Sequence, residues 1–273
     1  MVKILNILRT IFLSIVIVIS LTPIVWTVIS SFKTDKEIFA SAFWLPAKLY
    51  YQNYVNIFKR TPIAKYYWNS ISISVSTTFF ALNIYGMAAY ALSRFQYKGR
   101  QILFNVLSLS VLVPMTAIIF PVFVFINAIG LYNTKIGLIY VYTALTMPIT
   151  LFILRNYLNT IPINIEEAAY IDGAGFINTY FTIIVPIAKP GFAAAAVLAF
   201  LFPWNDFMYA YILTEGHTAR TLPISLKYFQ SAFSSNYGQF FAAVSIIVVP
   251  TIIVYIIFQK TIETGMTMGS LKG

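Results

Sequence analysis

The sequence predicts an all-α integral membrane protein, and its composition, its apolar runs and their continuity support that prediction. Hydrophobic residues make up 59% of the 273 residues, charged residues make up 10%, and the mean hydropathy is +0.80. In a soluble domain about a quarter of the residues are charged. The apolar residues are collected in six runs, each near the roughly 20 residues that a helix needs to cross a bilayer. These runs are too long and too continuous for the alternating strands of a membrane barrel.

Six membrane helices are therefore expected within a single transmembrane domain over residues 1–273. In chain order the predicted spans are 11–31, 68–93, 102–129, 136–157, 187–213 and 240–258. The first span follows Lys3 and Arg9 as in a signal peptide, but its apolar run is long and no small-residue cleavage site follows, so we expect it to be retained. Prolines in or near the spans predict kinks where neighbouring helices bond the freed carbonyls. They are Pro114, Pro121, Pro148, Pro203 and Pro250.

Between the fourth and fifth spans, the polar segment 164–175 predicts a short helix. Pro162 prevents the preceding helix from continuing, and Asn164 lies three residues before Glu167, the spacing of an N-cap and its reciprocating carboxylate. Gly173 can end the helix in the left-handed conformation that other residues resist. One interpretation is a surface helix whose alanines serve only helix propensity. The other is a docking site for a second protein.

The orientation of the chain follows from the density of its basic residues. Six spans place both termini on one side, and lysines and arginines divide evenly, nine on each side. Their totals therefore give no orientation. Arg94, Lys98 and Arg100 crowd one very short loop, whereas six opposite charges are spread over Lys33 to Lys65. This density favours cytoplasmic termini, and it places segment 164–175 in the cytoplasm as well.

Several classes of chemistry are excluded by the residues that the chain lacks. It has no cysteine and a single histidine, His217, so thiolate metal sites, histidine clusters and a histidine-based catalytic triad are ruled out. It also lacks the G-x-x-x-x-G-K-[ST] phosphate loop of an ATPase. The net charge of +10 is distributed over short loops between apolar segments, which indicates membrane headgroups rather than nucleic acid as the partner.

Short motifs extend over almost the whole chain. The first is Glu167-Ala168-Ala169, followed by Gly173, by Ile183 and by Val185-Pro186. The others are N-S at 69–70, Y-A-L-S-R-F at 90–95, G-R at 99–100, G-L-Y-N-T at 130–134, G-L-I at 137–139, W-N-D-F at 204–207, T-L-P at 221–223 and T-G-M-T-M-G-S-L-K-G at 264–273. Together they resemble the permease subunits of carbohydrate ABC importers of the maltose and oligosaccharide type. The pattern is most similar to the smaller, six-span partner of a permease pair, with Val185 in place of a leucine.

The resemblance implies a function, a set of partners and a location. Segment 164–175 would be a cytoplasmic coupling helix, and the residues implied to contact the ATPase are Glu167, Ala168, Ala169, Asp172, Gly173, Ala174 and Pro186. The partners would be a larger permease subunit, two ATPase subunits that bind ATP and Mg, and an extracytoplasmic solute-binding protein that delivers sugar. This chain would hold no cofactor or metal and would not be an enzyme. It would lie in the cell (inner) membrane of a bacterium or archaeon.

Candidate residues for the translocation path lie inside the predicted spans. Asp206 is the only carboxylate at predicted membrane depth, where an ionisable group usually faces a bundle interior or a watery cavity. It could instead lie at the outer interface or bond a neighbouring helix. Asn83 and Asn205 could line a polar path, and Trp204 could stack on a sugar ring. More often such aromatic residues pack between helices or lie in the interfacial belt.

The outer loop 214–239 is a candidate for contact with the binding protein. It contains Glu215, Gly216, His217 and Gly238. In related permeases the equivalent loop resembles a scoop that enters the sugar pocket of the binding protein. A solvated connector of the same composition would need no partner.

Two other classes of function remain as alternatives to a carbohydrate ABC permease. An ion-coupled secondary transporter or channel would be expected to carry several intramembrane charges and often inverted repeats, and this chain shows one such charge and no repeat. A membrane enzyme would need paired carboxylates, a histidine cluster or a nucleophile motif. An ABC permease for a non-sugar solute also remains open, because a docking motif reports the energy source and not the cargo.

Overall fold

The structure, a computed structural model, describes residues 2–40, 45–229 and 236–267, and every regular element in these ranges is helical. The helices are α1 (Val2–Ser30), α2 (Asp35–Ala40), α3 (Gln52–Arg60), α4 (Ile63–Arg94), α5 (Arg100–Leu109), α6 (Ile119–Ala128), α7 (Lys135–Leu158), α8 (Asn164–Ile171), α9 (Phe176–Thr179), α10 (Val185–Ile187), α11 (Lys189–Asn205), α12 (Met208–Leu213) and α13 (Tyr237–Thr267). A π-helical stretch, Tyr180–Ile184, joins α9 to α10, and 3₁₀ turns occupy Ser110–Leu112 and Leu222–Tyr228.

Four described helices are long and apolar enough to cross a membrane. They are Asn6–Ser30 within α1, Ile63–Arg94, Lys135–Leu158 and Tyr237–Lys260. They correspond to the first, second, fourth and sixth predicted spans, and the predicted all-α membrane class is confirmed. A fifth crossing results if Phe176–Ile187 and Lys189–Asn205, which meet at 83°, are counted as one bent span.

The third predicted span, 102–129, is wrong as a continuous helix. It consists of α5 with its 3₁₀ turn and of α6, with turns and bends between them. Pro114 explains the break, because a proline has no N–H to donate and drives the preceding residue out of the helical region. Val113 is accordingly extended, with φ −72° and ψ 118°. The hydroxyl of Tyr209 donates to the carbonyl of Met115 at 2.6 Å, so the break has a bonding partner in α12.

The fifth predicted span, 187–213, is also divided. The chain turns by 83° at Ala188, runs as α11 to Asn205, and breaks again before α12. At this second break Asp206 is extended, with φ −70° and ψ 130°. Its carboxylate accepts the N–H of Ala210 at 3.1 Å, so the side chain satisfies an amide in the first turn of α12. The aspartate therefore favours a new helix start over continuation of α11.

The chain divides into two compact units, Met1–Ala64 with Ile224–Pro250 and Lys65–Pro223 with Thr251–Gly273. In the first unit the connection after α1 is fixed by buried Asn53, whose amide donates to the carbonyls of Ser31 and Lys33 at 2.9 and 2.8 Å. The amide of Gly238 donates to Asp35 at 2.9 Å. Polar groups of the loop are thus satisfied against α3 and α13.

In the second unit the core lies where α11 packs on α7. In lipid, apolar side chains gain little by meeting one another, so membrane helices associate through small residues that let their backbones approach. Gly191, Ala194 and Ala195 are small residues of α11 that are buried in this core. A Cβ on Gly191 would lie 2.4 Å from Cγ of Tyr157 on α7. Glycine is therefore required there by the close approach of the two helices.

Candidate functional site

Helix α8 occupies the segment that the sequence singled out, but its start differs from the prediction. Asn164 is the first helical residue and not the N-cap; Ile163 holds the cap position with helical φ −65° and ψ −28° and no side-chain cap bond. The amides of Glu166 and Glu167 donate to the carbonyl of Ile163 at 2.9 and 3.1 Å. The helical turn thus begins directly after Pro162, whose fixed φ suits the start of a helix. The predicted N-cap at Asn164 is therefore wrong.

The end of α8 follows the prediction. Gly173 has φ +83°, the left-handed conformation that glycine adopts most easily. Its amide donates to the carbonyl of Tyr170 at 3.0 Å, and the amide of Ala174 donates to that of Ala169 at 2.9 Å. This pair of bonds is the Schellman motif, which satisfies carbonyls left over at a helix end. The predicted helix stop at Gly173 is confirmed.

The residues implied to contact an ATPase divide between two faces of this segment. Those that are exposed are Glu167, Ala168, Asp172, Gly173 and Pro186. Ala169 is buried and Ala174 is half-buried, so these two pack inward. Ile171 extends the outer face and is 86% exposed. The outer face therefore combines two carboxylates, small residues and an apolar side chain, a composition suited to binding a protein groove.

A buried charge cluster beneath α8 was not predicted. Glu166 is only 2% exposed, and its two carboxylate oxygens accept from the hydroxyl of Tyr90 at 2.8 Å and from Nε of Arg94 at 2.5 Å. A second guanidinium nitrogen of Arg94 donates to the carbonyl of Ile161 at 3.0 Å. Helical periodicity carries the signal that could have found this cluster, since Glu166 shares its face with inward-facing Ala169 three residues later.

Aromatic rings extend the contact between α4 and the segment that follows α8. The ring centroid of Tyr90 lies 4.9 Å from that of Phe176 and 5.0 Å from that of Tyr180. One turn earlier on α4, a Cβ on Gly86 would lie 2.5 Å from the hydroxyl oxygen of Tyr180 and 2.9 Å from a ring carbon of Phe192. The last turns of α4 are therefore the platform on which α8 and its exit rest.

The intramembrane candidates mostly satisfy their own helices or neighbouring ones. The hydroxyl of Tyr142 donates to Asp206 at 2.8 Å, which is the bond to a neighbouring helix that the sequence left open. Asn205 donates to the carbonyl of Leu201 at 2.9 Å, and Asn83 donates to that of Phe79 at 2.8 Å. Asn83 has no described contact with the other three candidates.

Trp204 belongs to the packed interior of the second unit. It is 3% exposed, and its ring stacks on Phe200 at 5.7 Å and meets Tyr67 edge-on at 5.6 Å. These contacts favour helix packing over sugar stacking. A cavity of about 400 Å³ beside α7 is lined by apolar side chains such as Val113, Met115 and Phe125, which offer a sugar few hydrogen-bond partners.

The predicted outer loop, 214–239, is tied to α4 and to the turn before α7. The amide of buried Asn69 donates to the carbonyls of Thr218 and Arg220 at 3.0 and 2.9 Å. His217 Nδ1 is hydrogen-bonded to the hydroxyl of Tyr66, and the amide of Glu215 donates to the side chain of Asn133 at 2.9 Å. Polar residues in the N-S and G-L-Y-N-T motifs therefore hold this part of the loop, in which Gly216 has φ +63°.

Gly238 is a helix residue, because α13 begins at Tyr237, so the predicted loop 214–239 extends three residues too far. It lies in the first turn of α13 in the first unit, and a Cβ there would lie 2.5 Å from Nδ2 of Asn53. The glycine permits this close approach. Of the predicted loop, residues 230–235 lie outside the described residues.

Comparison with known proteins gives a consistent family match. The family model described as "Binding-protein-dependent transport system inner membrane component" matches residues 83–268. The trehalose/maltose transport system permease protein MalG of Thermococcus litoralis is 36% identical over 260 residues, which cover 94% of this chain and 93% of that protein. The diacetylchitobiose uptake system permease protein NgcG of Streptomyces coelicolor is 35% identical over 257 residues, 93% of this chain and 85% of that protein.

Solved structures share the fold. A chain of a bacterial ABC transporter involved in the import of the acidic polysaccharide alginate aligns with a TM-score of 0.81 at 23% identity, over 94% of this chain and 96% of that one. A chain of the bacterial alginate ABC transporter in complex with an alginate pentasaccharide-bound periplasmic protein aligns with a TM-score of 0.65 at 15% identity, over 94% and 93% of the two chains.

Proposed function

The chain belongs to the family of binding-protein-dependent transport system inner membrane components, and we propose that it is a permease subunit of an ATP-driven carbohydrate importer. One observation carries the choice of carbohydrate: relatives that match more than nine-tenths of this chain are named for uptake of trehalose, maltose or diacetylchitobiose. Oligosaccharides are the corresponding cargo. Trp204 is buried and Asp206 is bonded to Tyr142, so neither residue indicates which sugar is carried.

The motion of the ATPase that accompanies ATP binding and hydrolysis reaches this chain through α8. Its exposed face of Glu167, Ala168 and Asp172 docks into a groove of a cytoplasmic ATPase subunit, and the helix stop at Gly173 sets the direction in which the chain leaves that groove. ATP and Mg are bound by two such partner subunits, since this chain has no phosphate loop. Docking places α8 in the cytoplasm, and both termini lie on the same side.

Six crossings give the topology. Four long helices and the bent pair α9–α10 with α11 supply five. The sixth is the broken third span, in which α5 and α6 cross together. The residues between them, 113–117, are exposed on this chain, and the larger permease subunit covers them in the complex. Irregular backbone is tolerated at membrane depth where it is buried in protein or lines a cavity.

The remaining partners are a second, larger permease subunit and an extracytoplasmic solute-binding protein. The loop at Glu215–His217 faces the binding protein and helps to release its sugar into the path. Support comes from its side-chain anchors, Asn69 and Asn133, which hold a polar loop in one position. A loop that only joined two spans would not need them.

Reconstitution of the complete complex tests this function. Vesicles that contain both permeases and the ATPase subunits should take up an oligosaccharide when ATP and the loaded binding protein are present. Uptake driven by a proton or sodium gradient, in vesicles with this chain alone, would support a secondary transporter instead. Stimulation only by a binding protein loaded with a non-sugar solute would keep the ABC permease and reject the carbohydrate.

A further inference from the structure

We propose that Tyr90, Arg94 and Glu166, here termed the latch, make α8 and the end of α4 move as one body during transport. This proposal rests on the proposed function, in which α8 docks the ATPase. It assigns a positioning role to three side chains that themselves do not face a docked partner. The transmission of force would then pass through α4, a helix distant in sequence from α8.

The latch holds α8 from two directions. Arg94 donates to the Glu166 carboxylate on α8 and to the carbonyl of Ile161 in the connection that leads from α7 into α8. Tyr90 fixes the other carboxylate oxygen. The side chains of Arg94 and Glu166 are 11% and 3% exposed. A charge left behind in such a buried pair is strongly unfavourable, so the pair stays closed while α8 moves.

The covalent route that leaves the C-terminal end of α8 toward α11 is less direct than the latch. Beyond Gly173 the chain passes through the π-helical stretch Tyr180–Ile184 and then through the 83° bend at Ala188. Helix irregularities of this kind are places where a helix bends. In contrast α4 is a single helix of 32 residues, Ile63–Arg94. A displacement of α8 therefore reaches α4 without crossing a bend.

Packing along α4 supports the same path. Tyr90 also contacts Phe176 and Tyr180, and Gly86 admits Tyr180 at a distance that no side chain would allow. The segment that follows α8 is thus packed against α4, the same helix that holds α8 through the latch. Rigid-body transmission needs this kind of continuous packing, in which several contacts join the same two elements.

Matched substitutions in the assembled importer test the latch. Tyr90→Phe removes only the hydroxyl, with its 2.8 Å bond to Glu166 and its hydrogen-bond contact with Tyr170. Tyr85→Phe, on the same helix, removes a hydroxyl bond of equal length, 2.8 Å, to the carbonyl of Thr143. Glu166→Gln removes the buried charge, and Arg100→Gln removes one charge from the first turn of α5. The readouts are the ATPase retained in the purified complex, its hydrolysis rate and the sugar transported per ATP.

The two latch variants should lower the sugar transported per ATP by roughly 2- to 30-fold, the range over which substitutions in such networks change coupling, while ATPase is still retained. The two controls should keep the wild-type ratio. A wild-type ratio in both latch variants overturns the latch and leaves the proposed function intact. A wild-type complex without ATP-dependent uptake would instead count against the proposed function.

A distance measurement covers the case in which a latch variant fails to assemble. The chain has no cysteine, so spin labels can be placed at Asn164→Cys on α8, outside the residues implied to contact the ATPase, and at Met87→Cys on α4, both at exposed positions. In the otherwise wild-type complex the label distance should be the same with and without ATP. A distance that changes on ATP binding would show that α8 moves relative to α4, and would overturn the latch.

Discussion

Glu166 and Glu167 are adjacent in the sequence but project from different faces of α8. Successive residues of a helix are rotated by about 100°, so one carboxylate faces the platform on α4 while the other faces away. Glu166 is held by Tyr90 and Arg94, and Glu167 is exposed. One residue thus anchors the helix and its neighbour is available to a partner.

Gly173 is predicted to be essential because of its backbone conformation and not for lack of space. No atom lies within 4 Å of a Cβ built there, but φ is +83°, and a non-glycine residue in this region costs about 1–3 kcal/mol. Gly173→Val should leave the subunit in the membrane, reduce the ATPase that copurifies with it and reduce uptake.

Gly175→Ala is the matched control, because Gly175 has φ −75° and ψ 164°, an ordinary conformation, and open space around it. It should behave as wild type in both assays. Full ATPase binding and uptake by Gly173→Val would show that docking of the ATPase does not depend on the helix stop at Gly173.

Asp206 is predicted to act chiefly as a structural acceptor. Asp206→Asn keeps an oxygen for the Tyr142 hydroxyl and for the amide of Ala210, so uptake should stay near wild type. Asp206→Ala leaves both donors without this partner, at about 1–3 kcal/mol for a buried group, and should lower the melting temperature of the complex. A severe uptake defect in a stable Asp206→Asn complex would instead place this carboxylate in the translocation path.

At the residue scale, the sequence predicted what depends on local backbone chemistry and missed what depends on distant partners. The stop at Gly173 follows from glycine's freedom at positive φ, and it was correct. Glu166 was missed because its partners lie on α4, 72 and 76 residues away. Asn164 was assigned as a cap by spacing alone, although the turn after Pro162 could begin without it.

At the scale of elements, length and apolar continuity predicted the uninterrupted helices well. They could not distinguish a kink from a break at a proline. That outcome depends on whether another helix supplies a partner for the freed backbone, as Tyr209 does for Met115. The division at Asp206 has the same kind of cause, because a side chain that bonds the next helical turn makes a new start favourable.

The contact of α11 with α7 is predicted to tolerate no larger side chain at Gly191. A Cβ there would lie 2.4 Å from Cγ of Tyr157, and overpacking of a tight core costs about 1–3 kcal/mol. Gly191→Leu should lower the melting temperature of the purified complex and the amount in the membrane. Ala196→Leu adds a bulky group at a half-buried position on the same helix and should have a smaller effect; equal stability of both variants with wild type would contradict this close approach.

At the scale of the whole molecule, composition and hydropathy established the membrane class, and motif spacing indicated the family. Neither gives the particular sugar, since sugar-binding chemistry depends on how side chains from separate helices meet. Trp204 illustrates the limit: the sequence left both sugar stacking and helix packing open, and its contacts with Phe200 and Tyr67 favour helix packing. The carbohydrate assignment therefore rests on the motif resemblance and on the named relatives.

The central claim is that this chain transmits ATP energy supplied by partner subunits to a sugar delivered from outside. The most direct measurement is ATP hydrolysis by the reconstituted complex, with and without the sugar-loaded binding protein. The chain alone should hydrolyse no ATP, and the complex should hydrolyse it faster when the loaded binding protein is added, with uptake of the sugar. Hydrolysis that is indifferent to the loaded binding protein, or sugar uptake without ATP, would contradict the claim.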